Sequence, residues 1–331
     1  MRWLLIAAML WAMPAHAKDL LIIAHRGASG ERPEHTLAAY ELAIEQGADF
    51  IEPDLVMTKD AVLVARHENE ISETTDVAGR PEFAARRTTK TIDGAAVSGW
   101  FTEDFTLAEL RTLRARERLP QLRGTAYDGR YGIATFDEVV ALAKSRGVGV
   151  YPEIKHGQYF ARIGLCMEKP ILAALAKAGW TQARDPVFIQ SFEVGNLERL
   201  RKATKLRLIQ LMSEEGRPAD KPGTTYAEMA SATGLKAVAR RADGIGVSKA
   251  MLIGAKATAG LVERAHNAGL QVHVWTFRAE NVFLAPQFKR GDDLAAHGDL
   301  AAEVRAFTAL GIDGLFSDFP RLARQAMAAA R

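Results

Sequence analysis

Cysteine is nearly missing. The 331-residue sequence carries one, Cys166, so no internal disulfide can staple the chain and its stability has to come from a packed core. Cys166 lies in the apolar stretch Ile163-Gly164-Leu165-Cys166-Met167 and is expected to be buried as a small hydrophobe. Long apolar runs are missing as well. The first, Trp3 to Met13, is shorter than the roughly 18 residues a membrane span needs, and no later run exceeds it. Stable membrane insertion is therefore not expected. An excess of one charge sign is also lacking: the net charge is +3 with no long basic run, which argues against nucleic acid as a partner. Neither an internal repeat nor a low-complexity tract is found, which disfavours solenoid and repeat architectures.

What is present begins with an export pattern. Met1-Arg2 is basic, Trp3 to Met13 is apolar, and Pro14 breaks the run before Ala15-His16-Ala17, a small-x-small cleavage pattern. A signal peptide over residues 1–17 is expected, with cleavage after Ala17 and export to the periplasm. A membrane anchor is the alternative that the short run disfavours, and no cysteine follows the cleavage site to take a lipid. With 48% hydrophobic residues, the mature chain 18–331 can form one large domain or two ordinary ones.

Short apolar runs alternate with helical patterns along that chain. The runs are Leu20–Ala24, Phe50–Val56, Val148–Ile154, Val187–Gln190, Leu206–Leu211, Gly244–Val247, Val272–Thr276 and Gly314–Ser317. Eight such units predict an α/β protein with a (β/α)8 TIM barrel, a doubly wound sheet being the alternative. Thr36–Gln46 reads as a helix ending at Gly47, and Thr135-Phe136-Asp137-Glu138 reads as a capping box opening another that closes near Gly147. Lys59-Asp60 between β-rich runs predicts a hairpin after the second barrel strand. From about residue 69 to 131 the chain is rich in Thr, Arg, Asp and Gly and lacks core periodicity, so an insertion packed over one barrel end is expected. It holds one helix, opened by the capping box Thr106-Leu107-Ala108-Glu109. A second polar insertion runs from about Arg278 to Leu300.

Three clusters carry chemistry. His25-Arg26-Gly27 follows the first strand, at the end where barrel enzymes assemble their sites; a histidine exchanges protons near neutral pH and an arginine grips phosphate. In Phe50-Ile51-Glu52-Pro53-Asp54, Glu52 and Asp54 share one face of a strand and repel each other unless a cation lies between them. One acid paired with Arg26 and the other capping a loop is the alternative. In Tyr151-Pro152-Glu153-Ile154-Lys155, Glu153 can supply a third metal oxygen and Lys155 a second cation; a surface Glu–Lys pair is the alternative. His67, beyond the hairpin strand Val62–Arg66, can return beside the acids and share acid–base work with His25. Gln190 and Trp275, at later strand ends, are candidate substrate contacts. His35, His156, His266 and His273 are expected to be structural or on the surface.

Ala24-His25-Arg26-Gly27-Ala28-Ser29-Gly30, Pro33-Glu34-His35-Thr36, Glu52-Pro53-Asp54-Leu55-Val56-Met57-Thr58-Lys59-Asp60, Tyr151-Pro152-Glu153-Ile154-Lys155 and Phe316-Ser317-Asp318-Phe319-Pro320 together resemble the glycerophosphodiester phosphodiesterase family, and most of all its periplasmic branch. The resemblance runs over essentially the whole mature chain. It implies a TIM barrel that hydrolyses small glycerophosphodiesters to glycerol 3-phosphate and an alcohol. It also implies one divalent cation, calcium before magnesium, on Glu52, Asp54 and Glu153, with His25 and His67 as the acid/base pair and Arg26 and Lys155 on the phosphate. Two positions depart from the family pattern: Glu68 where Asp is common, and His35 where many relatives carry Asn. A phospholipase-type enzyme on intact lipid and a non-catalytic solute-binding barrel are the competing functions. The polar insertion disfavours the first, and the full set of proton-transfer residues disfavours the second.

Overall fold

Proline divides two of the barrel strands at the places where the acidic motifs lie. The computed structural model describes residues 20–328, so the expected signal peptide 1–17 lies outside the described residues. β1 (Leu21–His25) is followed by β2 (Phe50–Glu52), which Pro53 separates from β3 (Asp54–Met57). Then come β4 (Leu63–Ala65), the outlying hairpin β5 (Thr88–Ile92) and β6 (Ala95–Gly99), and β7 (Gly149–Val150), which Tyr151-Pro152 separates from β8 (Glu153–Ile154). β9 (Phe188–Ser191), β10 (Arg207–Met212), β11 (Gly244–Ser248), β12 (Gln271–Phe277) and β13 (Gly314–Ser317) complete the set. A proline has no N–H for the ladder, so pairing lapses at that residue. Its carbonyl still accepts: the Pro53 oxygen takes the Glu153 N–H and the Pro152 oxygen takes the Gln190 N–H, both at 2.9 Å. Each divided strand therefore runs on as one, and its acids stay in register, with Asp54 opposite Glu153 and Glu153 opposite Gln190.

The sheet closes on itself. β1 pairs in parallel with β2 and with β13, and parallel pairing runs on from β3 through β8, β9, β10, β11 and β12 to β13. Counting the divided strands once each gives eight, the (β/α)8 barrel expected from the alternation. Within this sheet β4 alone is antiparallel, folded back on β3 through the Lys59-Asp60 turn.

The capping signals work as anticipated. Thr36, Thr106 and Thr135 accept the backbone N–H three residues on, and Glu109 and Glu138 reach back to complete the boxes. Gly147 closes its helix in the left-handed conformation at φ +71°.

Two layers of core result. Between strands and helices lies one continuous apolar shell, and inside the barrel Ile23, Phe50, Tyr151, Phe188, Ile209 and Phe316 form a second cluster. Fully burying each such side chain contributes about 1.5–3 kcal/mol, so this plug makes a firm floor beneath the strand C-termini. Ile71, Val77, Phe83, Trp100, Phe105, Leu110 and Leu113 join the outer shell from the segment between β4 and the helix Phe136–Arg146. Their irregular spacing reflects 3-10 turns and short loops, which is why no period marks them in the sequence.

Cys166 departs from expectation: it is exposed, not buried. The chain turns at Gly164 with φ +84°, and Met167, not its neighbour, takes the inward position at the start of the helix Glu168–Lys177.

Candidate active site

The end of β1 sets the geometry. Arg26 (φ +60°) and Gly27 (φ +87°) turn the chain sharply after His25, and the Gly27 N–H closes the turn on the Ala24 carbonyl at 3.1 Å. A Cβ at Gly27 would lie 2.7 Å from the backbone of Ala39, so only glycine fits this close approach. The turn aims the Arg26 N–H at Glu52 Oε2, 2.8 Å away, and swings its guanidinium between Glu34 (2.9 Å) and Asp54 (3.3 Å).

Glu52, Asp54 and Glu153 converge as their strand positions predict. All three are buried, and one oxygen from each lies within 4.8 Å of the others. The cost of that convergence falls unevenly. Burial and the neighbouring Asp54 and Glu153 charges push the Glu52 carboxyl well above its usual range. Burial raises Glu153 to about 8, Lys155 opposing. Asp54 is held well below the usual range despite its burial, by Lys155, His67, His35 and Arg26. An all-oxygen, anionic donor set of this kind fits a hard divalent cation, whose charge would relieve the mutual repulsion. Gln190 hydrogen-bonds Glu52 Oε1 at 3.0 Å, and Lys155 lies 2.9 Å from Glu153 and 3.9 Å from Asp54.

Both histidines have their Nδ1 atoms engaged by carboxylates. His25 Nδ1 is 2.6 Å from Asp318 Oδ1, and His67 Nδ1 bonds Glu68. With Nδ1 so held, Nε2 is the nitrogen left for a substrate. Burial, then the Arg26 charge, lowers His25 to about 4, Asp318 opposing. Burial, Arg26 and Lys155 lower His67 to about 3.

His25, Arg26, Glu52, His67, Glu153, Lys155, Gln190 and Trp275 share one cavity of about 530 Å³ at the C-terminal mouth of the strands. Asp54 lies just beneath it. Trp275 stands edge-on to Phe192 at 5.8 Å between ring centroids, and the two rings form an apolar wall of the cavity.

Several participants are not marked by the sequence. His35, expected to be structural or on the surface, is structural: it is fully buried, with Nε2 2.9 Å from Asp54 and Nδ1 2.8 Å from the Tyr40 hydroxyl. Asp318, marked in the sequence only within the motif Phe316-Ser317-Asp318-Phe319-Pro320 and given no role there, is the partner of His25. Glu34, Arg118, Arg123 and Arg278 join through long-range contacts that no local spacing announces.

Fold and site define the class: a (β/α)8-barrel enzyme with buried acids, paired histidines and cations gathered at the C-terminal mouth. Comparison with known proteins then gives the family. The chain belongs to the glycerophosphoryl diester phosphodiesterase family, whose model matches residues 25–322. It is 37% identical over 316 residues to glycerophosphodiester phosphodiesterase GDPD6 of Arabidopsis thaliana, covering 90% of this chain and 83% of that one. It is 30% identical to the glycerophosphodiester phosphodiesterase of Haemophilus influenzae, over 91% of this chain and 88% of the relative. Among solved structures, a putative glycerophosphoryl diester phosphodiesterase from Silicibacter pomeroyi aligns with a TM-score of 0.68 at 20% identity, over 95% of both chains. A phosphodiesterase from Oleispira antarctica, solved with the product sn-glycerol-3-phosphate, aligns at 0.60 and 21% identity, over 93% of this chain and 96% of that one. Likeness at those identities speaks for the fold.

Proposed function

We propose that the protein hydrolyses glycerophosphodiesters, such as deacylated phospholipids, to glycerol 3-phosphate and an alcohol, using one divalent cation and the histidine pair His25 and His67. The observation that carries this reading is the convergence of the Glu52, Asp54 and Glu153 oxygens within 4.8 Å, in a cavity that also presents two histidines, Arg26 and Lys155. Glu52, Asp54 and Glu153 would hold the cation, which when bound supplies positive charge for the phosphoryl oxygens. Arg26 and Lys155 face the same oxygens and hold the diester's anionic group, Arg26 with its planar fork and Lys155 as a point charge.

The remaining chemistry is proton transfer. One histidine Nε2 takes a proton from the attacking oxygen and the other gives one to the departing alkoxide. A neutral ring, the form burial favours here, is ready to act as base. The ring that acts as acid needs its proton affinity raised, and a bound phosphodiester, being anionic, does this on arrival. Trp275 and Phe192 line the cavity wall where an alcohol group would lie.

Calcium is the proposed ion, magnesium being the alternative: the all-oxygen donor set suits either hard cation, and the resemblance to the family's periplasmic branch favours calcium. Residues 1–17 support export, so the reaction would take place in the periplasm. The direct test is release of glycerol 3-phosphate from glycerophosphocholine by the purified protein, after chelation and with calcium or magnesium restored. Turnover that returns with one ion supports the reading, and no product with either ion refutes it.

A further inference from the structure

Two arginines from one short segment reach opposite sides of the site, each onto the carboxylate that holds a different histidine. Arg118 donates to both oxygens of Glu68, the partner of His67, at 2.6 and 3.1 Å. Its guanidinium also grips Glu34 at 2.7 and 2.9 Å, and Glu34 in turn binds Arg26. Five residues on, Arg123 donates to Asp318, the partner of His25, at 2.6 Å, and to Glu280 at 2.6 Å. Its remaining nitrogen reaches the Ser29 carbonyl at 2.9 Å, while the Ser29 hydroxyl holds the backbone carbonyl of His25. Pro120–Arg123 forms one helical turn with proline at its start and Gly124 (φ +71°) at its end, so the two arginines issue from one short, turned segment.

We propose that Arg118 and Arg123 are positioning residues, and that the segment carrying them is a clamp that sets the orientation of His67 and His25 together. The proposal rests on the histidine pair read above as the proton-transfer groups. An imidazole can rotate and exchange tautomers unless its Nδ1 partner is fixed, and a carboxylate is fixed only as well as its own partners are. Arginine suits this work because its fork can hold two carboxylates at once. Stapling of the surface does not account for the pattern. Arg123 has an 8% exposed side chain, Asp318 and Glu34 are buried, and each arm reaches the acid that holds one of the two histidines. The insertion thereby gains a role: it completes the scaffold of the two histidines from outside the barrel strands.

The test uses the full mature chain with calcium and glycerophosphocholine. Arg118→Gln and Arg123→Gln should each lower kcat by about 10- to 100-fold while KM changes by less than about threefold, as expected for groups that orient reacting side chains. The corresponding Lys variants, keeping the charge but losing the fork, should recover part of that loss. Nitrogen-15 spectra of the imidazoles add a readout that needs no turnover. Arg118→Gln should disturb the His67 ring and leave His25 as it was, and Arg123→Gln should do the converse. Retention of kcat within about twofold in both Gln variants, or ring spectra that do not respond, overturns the clamp. Where a Gln variant fails to fold, the Lys variant at that position is read by its imidazole spectrum: disturbance of the ring on that arm alone supports the clamp, and a ring unchanged from wild type overturns it. Absence of turnover in the wild-type protein with calcium and with magnesium refutes the phosphodiesterase reading instead, and the spectra then still decide whether the clamp exists.

Discussion

His35 and Asp54 form a buried pair, with Nε2 of a fully enclosed imidazole 2.9 Å from Oδ2 of the carboxylate. Burial lowers the pKa of His35, so the ring is neutral. Nε2–H then donates to Asp54, and Nδ1 accepts from the Tyr40 hydroxyl 2.8 Å away. This pair orients one proposed metal ligand from behind. His35→Ala should weaken divalent-ion affinity by about 10- to 100-fold, the usual effect of losing a group that orients a ligand. It should also cost about 1–3 kcal/mol of stability, because Tyr40 loses its acceptor in a buried site. His35→Asn should retain more affinity than His35→Ala. Calorimetric titration with calcium decides, and equal affinity in wild type and His35→Ala would show that Asp54 needs no such support.

The acidic triad predicts a coupling between pH, metal and stability. Burial and neighbouring charge raise Glu52 well above the usual carboxylate range, and burial raises Glu153 to about 8. Between the ordinary histidine value and about 8, where His25, His35 and His67 are neutral in both states, these two acids make the folded, metal-free chain bind more protons than the unfolded chain. Its stability must fall as pH rises through that window. A bound cation displaces those protons, so affinity should strengthen by about tenfold per pH unit for each proton displaced as pH rises towards about 8. Melting curves of chelated protein between about pH 6.5 and 8 check the first part. Titrations in buffers of different ionisation enthalpy check the proton release. Affinity independent of pH across this range would contradict the arrangement.

The barrel is legible in the sequence because its signals are local. Apolar runs, capping boxes and a turn pair are each readable within about ten residues, and each appears in the structure. The triad is legible for the same reason: strand periodicity and the two prolines keep Glu52, Asp54 and Glu153 on one face wherever the strands go. Asp318, Glu34, Arg118 and Arg123 are not. Asp318 meets His25 across 293 residues and Arg123 across 195, distances at which spacing carries no information. His35 escapes for a different reason, since a neighbourhood of Glu34 and Thr36 gives no hint that its ring passes inward to Asp54. Cys166 misleads because an apolar pentapeptide suggests an inward face, whereas Gly164 turns the chain along the surface.

Gly27→Ala tests whether the turn after β1 is as tight as its contacts require. A methyl group would meet the Ala39 carbonyl carbon at 2.7 Å, at a backbone φ of +87° that L-residues rarely adopt. Strain and displacement together should destabilise the protein by about 2–4 kcal/mol. Because the same turn directs the Arg26 N–H to Glu52, metal affinity should fall along with the melting temperature. Gly94→Ala is the control: its φ of +90° carries a similar backbone strain, but nothing lies within 4 Å of the added methyl. It should destabilise by only about 1 kcal/mol and leave metal binding unchanged.

Asp318→Asn separates positioning from stability at His25. Arg123, Arg278 and His25 all converge on this buried carboxylate, whose pKa they hold well below the usual range against the effect of burial. Neutralising it leaves two arginines without their shared counter-charge, at a cost of about 3–5 kcal/mol. It also replaces the acceptor that fixes His25 Nδ1, so kcat should fall by about 100-fold or more with little change in KM. Those two effects need a comparison to be told apart. Glu280→Gln removes the other partner of Arg123 without touching His25, and it should destabilise the fold while leaving kcat within about threefold. Parallel kinetics and thermal melts of the two variants give the answer. If Glu280→Gln loses as much kcat as Asp318→Asn at equal loss of stability, Asp318 acts through the fold alone; if the losses diverge, its grip on His25 is what the reaction requires.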